Sequence, residues 1–133
     1  MTEALKKCPS LIVVSAHHSM YRQYSQKFLN ILREYSPSVE QYSIDEAFMD
    51  MTGMEKLIGN PVAFAHKLKN RISKELGFTV NIGISGNKYL AKMASDFEKP
   101  DKVHTLFPTE IKTKMWPLPV SDLLFVGRAT TQV

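Results

Sequence analysis

The chain has 133 residues, 44% of them apolar and 10% aromatic, enough for one globular domain with a real core and too many for a disordered segment. Seventeen Lys and Arg against thirteen Asp and Glu leave a formal charge of +4, which leans towards a polyanionic partner without singling one out. No apolar run approaches the roughly 18 residues of a membrane span, the Met1–Pro9 stretch lacks the apolar core of a signal peptide, and the single Cys8 excludes an internal disulfide. The expected setting is cytoplasmic, with Cys8 a small buried apolar side chain.

Thr2–Lys7 reads as the tail of a helix, closed by Pro9. Leu11–Val14 is a short β-branched run consistent with a buried strand. A long helix is expected from about Ser19 to Tyr35, where Tyr21, Tyr24, Phe28, Ile31 and Tyr35 form one stripe and Leu32 widens it. That spacing reads as core rather than as a base-stacking platform. Ser36-Pro37 ends the helix, because the residue before proline is pushed out of the α region. Val39–Ile44 and Ala47–Met51 read as the arms of a hairpin, followed by a turn at Thr52-Gly53. Pro61 opens a second helix, in which Phe64, Leu68, Ile72 and Leu76 face inward and Gly77 is the stop. Its other face, with Lys67, Lys69, Asn70, Arg71 and Lys74, reads as solvated.

Thr79–Ser85 alternates with period two, Val80, Ile82 and Ile84 on one side. Gly83 lies mid-strand, where glycine permits close approach of another backbone or a ligand. A helix over Lys88–Phe97 follows, capped by Asn87, then a strand at Val103–Phe107. Pro108-Thr109 is expected to start a short helix running to Trp116, with Thr109 a candidate cap, and Pro117 and Pro119 mark a change of direction. Helices interleave with strands, and one hairpin is antiparallel. The expected class is α+β, a mixed sheet with helices packed on one face, and the order contains the ferredoxin-like βαββαβ.

Asp45 and Glu46 are adjacent acids between the two hairpin arms. In a regular strand they would point to opposite faces; they converge on one cation only where the backbone turns. Taken by itself, the pair also fits a solvated acidic turn.

Two stretches together carry a resemblance. Y-S-I-D-E-A-F-M-D-M-T-G (Tyr42 to Gly53) resembles the palm motif of the Y-family, translesion DNA polymerases. About 30 residues on, G-I-S-G-N-K-Y-L-A-K-M-A-S-D-F-E-K-P (Gly83 to Pro100) resembles the second signature of that family. Glu3–Val14 is similar to the segment leading from the fingers back into the palm, and Leu123–Thr130 to the start of the thumb helix-hairpin-helix. Lys102 stands where the family often has glycine, a loop change without catalytic weight.

The resemblance implies a ferredoxin-like polymerase palm whose first strand, with a further metal-binding aspartate, and whose fingers are missing. Residues 1–116 would be this partial palm and 117–133 a linker with the truncated start of the thumb. It implies a template-directed polymerase adding deoxynucleotides to a primer 3′-hydroxyl by a two-metal mechanism, in DNA repair and damage tolerance. Asp45 and Glu46 would be catalytic and hold Mg²⁺, two ions in the complete enzyme, with Glu46 on the ion that activates the hydroxyl. Lys99 would contact the triphosphate, and Gly127 and Arg128 DNA phosphates; Lys88 and Lys92 match too, with no assignment beyond DNA or structural contacts. The implied partners are primer-template DNA and a deoxynucleoside triphosphate, with no membrane. The chain alone is expected to be inactive, and either to fill the gap of the missing strand by self-association or to be only marginally stable. The other readings are a ferredoxin-like nucleotidyl enzyme of the cyclase kind, which the K-P signature disfavours, and a non-enzymatic palm remnant that binds DNA or a protein.

Overall fold

Helix α4 (Pro61–Leu76) has all its boundary chemistry in place. Asn60 accepts the Ala63 N–H at 3.0 Å, Pro61 occupies the first turn, and Gly77 closes the helix at φ 76°, the left-handed region that glycine enters without strain. The computed structural model describes residues 2–131. Met1, the last two residues of the segment read as the start of a thumb, and the side chain of Arg128 lie outside the described residues.

In chain order the elements are α1 (Thr2–Lys7), α2 (His18–Arg33), β1 (Val39–Gln41), β2 (Ala47–Met49), α3 (Glu55–Ile58), α4, β3 (Ile82–Ile84), α5 (Lys88–Asp96) and β4 (Val103–Thr105). A 3₁₀ turn at Pro108–Glu110, α6 (Ile111–Lys114), a second 3₁₀ turn at Val120–Asp122 and α7 (Arg128–Thr131) complete it. The strands form two pairs. β1 and β2 are antiparallel with Glu40 opposite Phe48; β3 and β4 are parallel with Gly83 opposite His104. Both pairings of a mixed sheet are therefore present, as two separate ladders among the described residues.

Both ladders pack on one helix layer. Ile31 and Leu32 of α2 meet Leu68 and Ile72 of α4; Val39, Ala47, Met49 and Ile82 close over them from the strands, and Val80 from the segment before β3. Each fully buried side chain of this size contributes about 1.5–3 kcal/mol. Buried Ser36 joins the end of α2 to the end of the hairpin, its hydroxyl donating to the Asp50 carbonyl at 2.6 Å. A second core gathers Leu90, Met93 and Ala94 of α5 with Leu106, and Leu118, Leu123 and Leu124 pack against it. Between the two lies Gly83. A Cβ there would stand 1.9 Å from the Ala91 carbonyl oxygen and 2.6 Å from the Ser95 nitrogen, so the expected close approach is that of the α5 backbone.

Several sequence expectations are corrected. Leu11–Val14 is not a strand: it joins neither ladder among the described residues, and Ile12 and Val14 are 85% and 81% exposed. β-branched residues favour a strand only where a neighbour supplies ladder bonds and a packing face. Cys8 is exposed rather than buried. Tyr21 and Tyr24, the first members of the aromatic stripe, are exposed, because the layer that covers Phe28 and Ile31 does not extend that far. On the polar face of α4, Lys69 is buried and donates to Asp101 Oδ2 at 2.6 Å, while Arg71 pairs with Glu34 and Glu75. The helical turn after β4 begins at Pro108, as expected, but its cap is Phe107 rather than Thr109; the Glu110 carboxylate takes the Phe107 N–H at 2.7 Å.

Candidate metal site at the Asp45–Glu46 hairpin

The hairpin end is built by one carbonyl. Glu46 C=O accepts the N–H groups of Tyr42 and Ser43 at 2.9 and 3.1 Å, so the chain turns between Ser43 and Glu46 and the two carboxylates are not held on opposite faces. Ser43 gathers them. Its hydroxyl lies 2.7 Å from Asp45 Oδ1 and 3.2 Å from Glu46 Oε2, and the Asp45 N–H donates back to it at 3.3 Å. One hydroxyl proton cannot serve both oxygens at once; the shorter contact is to Asp45. Asp45 is exposed and Glu46 half-buried. The third acid of the stretch, Asp50, is engaged elsewhere, accepting the Thr52 N–H and hydroxyl at 2.9 and 2.7 Å.

Opposite the hairpin stands α5. Lys92 Nζ lies 2.9 Å from Glu46 Oε1 and 2.6 Å from Asp96 Oδ2. Asp96 in turn pairs through Oδ1 with Lys99 Nζ at 2.7 Å. Glu46, Lys92, Asp96 and Lys99 thus form a continuous chain of alternating charge. Burial opposes the charge on Lys92, but its bonds to Asp96 and Glu46 outweigh that and raise its pKa above the usual lysine value. Burial likewise disfavours the Asp96 carboxylate, and the bonds from Lys92 and Lys99 win, leaving its pKa lowered. Lys99 itself is 59% exposed, at the open end of the chain of charges. Lys88 turns away from the pair and meets Glu40 on β1.

Of the residues singled out in the sequence, the fold brings Asp45 and Glu46 together and links Lys99 to them. Gly127 is exposed, and its carbonyl accepts the Thr130 and Thr131 N–H groups at the start of α7; among the described residues no hydrogen bond joins it to the hairpin. Ser43, Lys92 and Asp96 were given no site role by sequence reasoning. The i, i+4 spacing of Lys92 and Asp96 is visible in the sequence; the hairpin partner of Lys92, 46 positions earlier, is not.

In donor type the site suits a hard divalent cation, which prefers carboxylate oxygens and retains water. Two carboxylates are fewer ligands than a tight all-protein site needs, and among the described residues no group of three or more His, Cys, Asp or Glu gathers.

A family model described as impB/mucB/samB matches residues 1–96. The chain belongs to this family. Across 130 residues it is 52% identical to the DNA polymerase IV of Clostridium acetobutylicum, covering 95% of this chain and 32% of that protein. It is 44% identical to DNA polymerase IV 2 of Bacillus subtilis, covering 94% of this chain and 31% of that one. The chain therefore spans about a third of the length of these impB/mucB/samB relatives. Among solved structures, DinB from Sulfolobus solfataricus superposes over 98% of the chain and 39% of its own, with a TM-score of 0.87 at 29% identity. The insertion ternary complex of Dbh DNA polymerase does so over 96% and 38%, at 0.85 and 29%. The α+β arrangement is that of the Y-family polymerase palm.

Proposed function

We propose that the chain is the palm portion of a template-directed translesion DNA polymerase, residues 1–116 forming the palm and 117–133 leading into a thumb. The observation that carries this reading is the turn that sets Asp45 and Glu46 side by side on Ser43, inside the segment that the family model matches. Asp45 and Glu46 are assigned as ligands of Mg²⁺. When bound, the metal supplies charge neutralisation and a more acidic primer hydroxyl. The chain's own contribution is orientation: the Glu46 carbonyl fixes the turn, Ser43 holds the carboxylates together, and Lys99 offers an exposed ammonium to a triphosphate. Gly127 and Arg128 are assigned to DNA phosphates. Primer-template DNA and a deoxynucleoside triphosphate are the corresponding partners.

The test is a transplant. This chain replaces the matching third of Clostridium acetobutylicum DNA polymerase IV, and primer extension is measured on damaged and undamaged templates. The hybrid should extend, and Asp45→Ala in the transplanted segment should abolish extension. A folded hybrid that is inactive, or one indifferent to Asp45→Ala, overturns the reading. The 133-residue chain by itself should not extend a primer.

The same reading includes self-association. Ladder bonds join Ser38 to Asp50 and Tyr42 to Glu46, so by alternation the backbone groups of Ala47 and Met49 point away from β1. Ile82 N–H and Ile84 C=O bond towards β4, which turns those of Gly83 the other way. An open apolar groove of ≈ 340 Å³, lined by Tyr21, Tyr24, Phe28, Ile44, Phe78 and Val80, adjoins the hairpin end. Unpaired strand edges beside an apolar groove are a template for another chain. Sedimentation across a concentration series should show reversible association; a monomer at every concentration overturns it.

A further inference from the structure

Lys92 has a place in the structure that the reading above does not use. Its side chain is 14% exposed, and its ammonium sits between Glu46 Oε1 and Asp96 Oδ2. The base of that side chain is fixed by main chain, since α5 lies against β3 through the Ala91 and Ser95 backbone at Gly83. The ammonium is therefore presented to the hairpin from a rigid platform. Lys88, one turn earlier, is 61% exposed and pairs with Glu40 and the face of Phe48 rather than with Glu46. A fixed positive charge on one oxygen of a carboxylate has two consequences. It offsets the mutual repulsion of Asp45 and Glu46 while no metal is present, and it opposes the arrival of a second cation at the same oxygen.

We infer that Lys92 is a built-in counter-cation that positions Glu46 and competes with a divalent cation for it. This rests on the assignment of Asp45 and Glu46 as metal ligands. A purely structural Lys92 predicts that its loss frees Glu46 and weakens cation binding. A competing Lys92 predicts the opposite sign. By linkage, cation binding must also disturb Lys92 as much as Lys92 disturbs cation binding.

The experiment uses the 133-residue chain and two cations. Mn²⁺ is titrated while paramagnetic broadening of the amides of residues 43–48 is followed by NMR. Lys92→Met should tighten binding there on the order of tenfold at low ionic strength. Lys92→Arg should stay within about twofold of the parent, as should Lys88→Met, which removes a charge that does not touch Glu46. Diamagnetic Mg²⁺ added to the unsubstituted chain should shift the Lys92 Nζ resonance together with the 43–48 amides, a readout that needs no variant to fold. Unchanged or weaker Mn²⁺ binding by a folded Lys92→Met chain overturns the inference alone, as does a Lys92 Nζ signal that ignores Mg²⁺ while the amides respond. Broadening that bypasses residues 43–48, or that survives Asp45→Asn with Glu46→Gln, overturns the metal assignment and the inference with it.

Discussion

Ile72 and Ile12 are the same side chain in opposite circumstances. Ile72 is 1% exposed where α4 meets α2 and the strands, whereas Ile12 lies in an apolar run and is 85% exposed. Both runs look like core in the sequence. What separates them is supply. The α4 stripe meets a second helix and two strand pairs, while Leu11–Val14 is left exposed and Tyr21 and Tyr24 line an open groove. Hydrophobicity is a demand for burial that only a neighbouring element can meet.

The contrast is broken most directly at those two positions. Ile72→Ala should cost about 2–5 kcal/mol of unfolding free energy, and Ile12→Ala less than about 0.5 kcal/mol, both read from urea denaturation at low protein concentration. A loss above about 1 kcal/mol at Ile12 would show that the run is packed in solution. Next in size is the seam between the two cores. Gly83→Ala forces a methyl into the α5 backbone and should cost about 3 kcal/mol, with the loss of Leu90 and Met93 packing seen in methyl spectra. A cost below about 0.5 kcal/mol would mean that α5 can move freely against β3.

The smallest effect sharpens the contrast at the periphery. Glu110 is held by Lys114 at 2.5 Å and by the Phe107 N–H at 2.7 Å, which lowers its pKa to about 2. A depressed folded value means that the contribution is complete above the usual 4.5 and is lost as the pH falls towards 2. Stability measured from pH 5 to pH 2 should therefore fall less steeply in Glu110→Gln than in the parent; parallel curves would remove Glu110 from the acid response.

The sequence shows most where a local pattern and a supplied partner agree. Asn60, Pro61 and Gly77 bound α4 because caps act within one turn and need nothing distant. Gly83 was legible as a close approach, though not which backbone arrives. Leu11–Val14 was misread because strand propensity says nothing about whether an edge is waiting. At the site, Asp45 and Glu46 stood out through their motif, but Ser43 as their bridge and Lys92 as their neighbour depend on a turn and on a helix packed from far along the chain. Lys69 was misassigned to solvent because its partner, Asp101, lies 32 positions away.

That last pair has a kinetic consequence. Asp101 follows the Lys99–Pro100 segment by one residue, and its carboxylate satisfies a buried ammonium on α4. On the far side, the Lys102 N–H is bound by Asn81 at 2.9 Å and its carbonyl by Ile82. Opening this loop means stranding a charge in the helix layer, which is costly. The Lys102 N–H, which Asn81 holds, should therefore exchange on the slow clock of α4 rather than on the fast clock of an exposed turn.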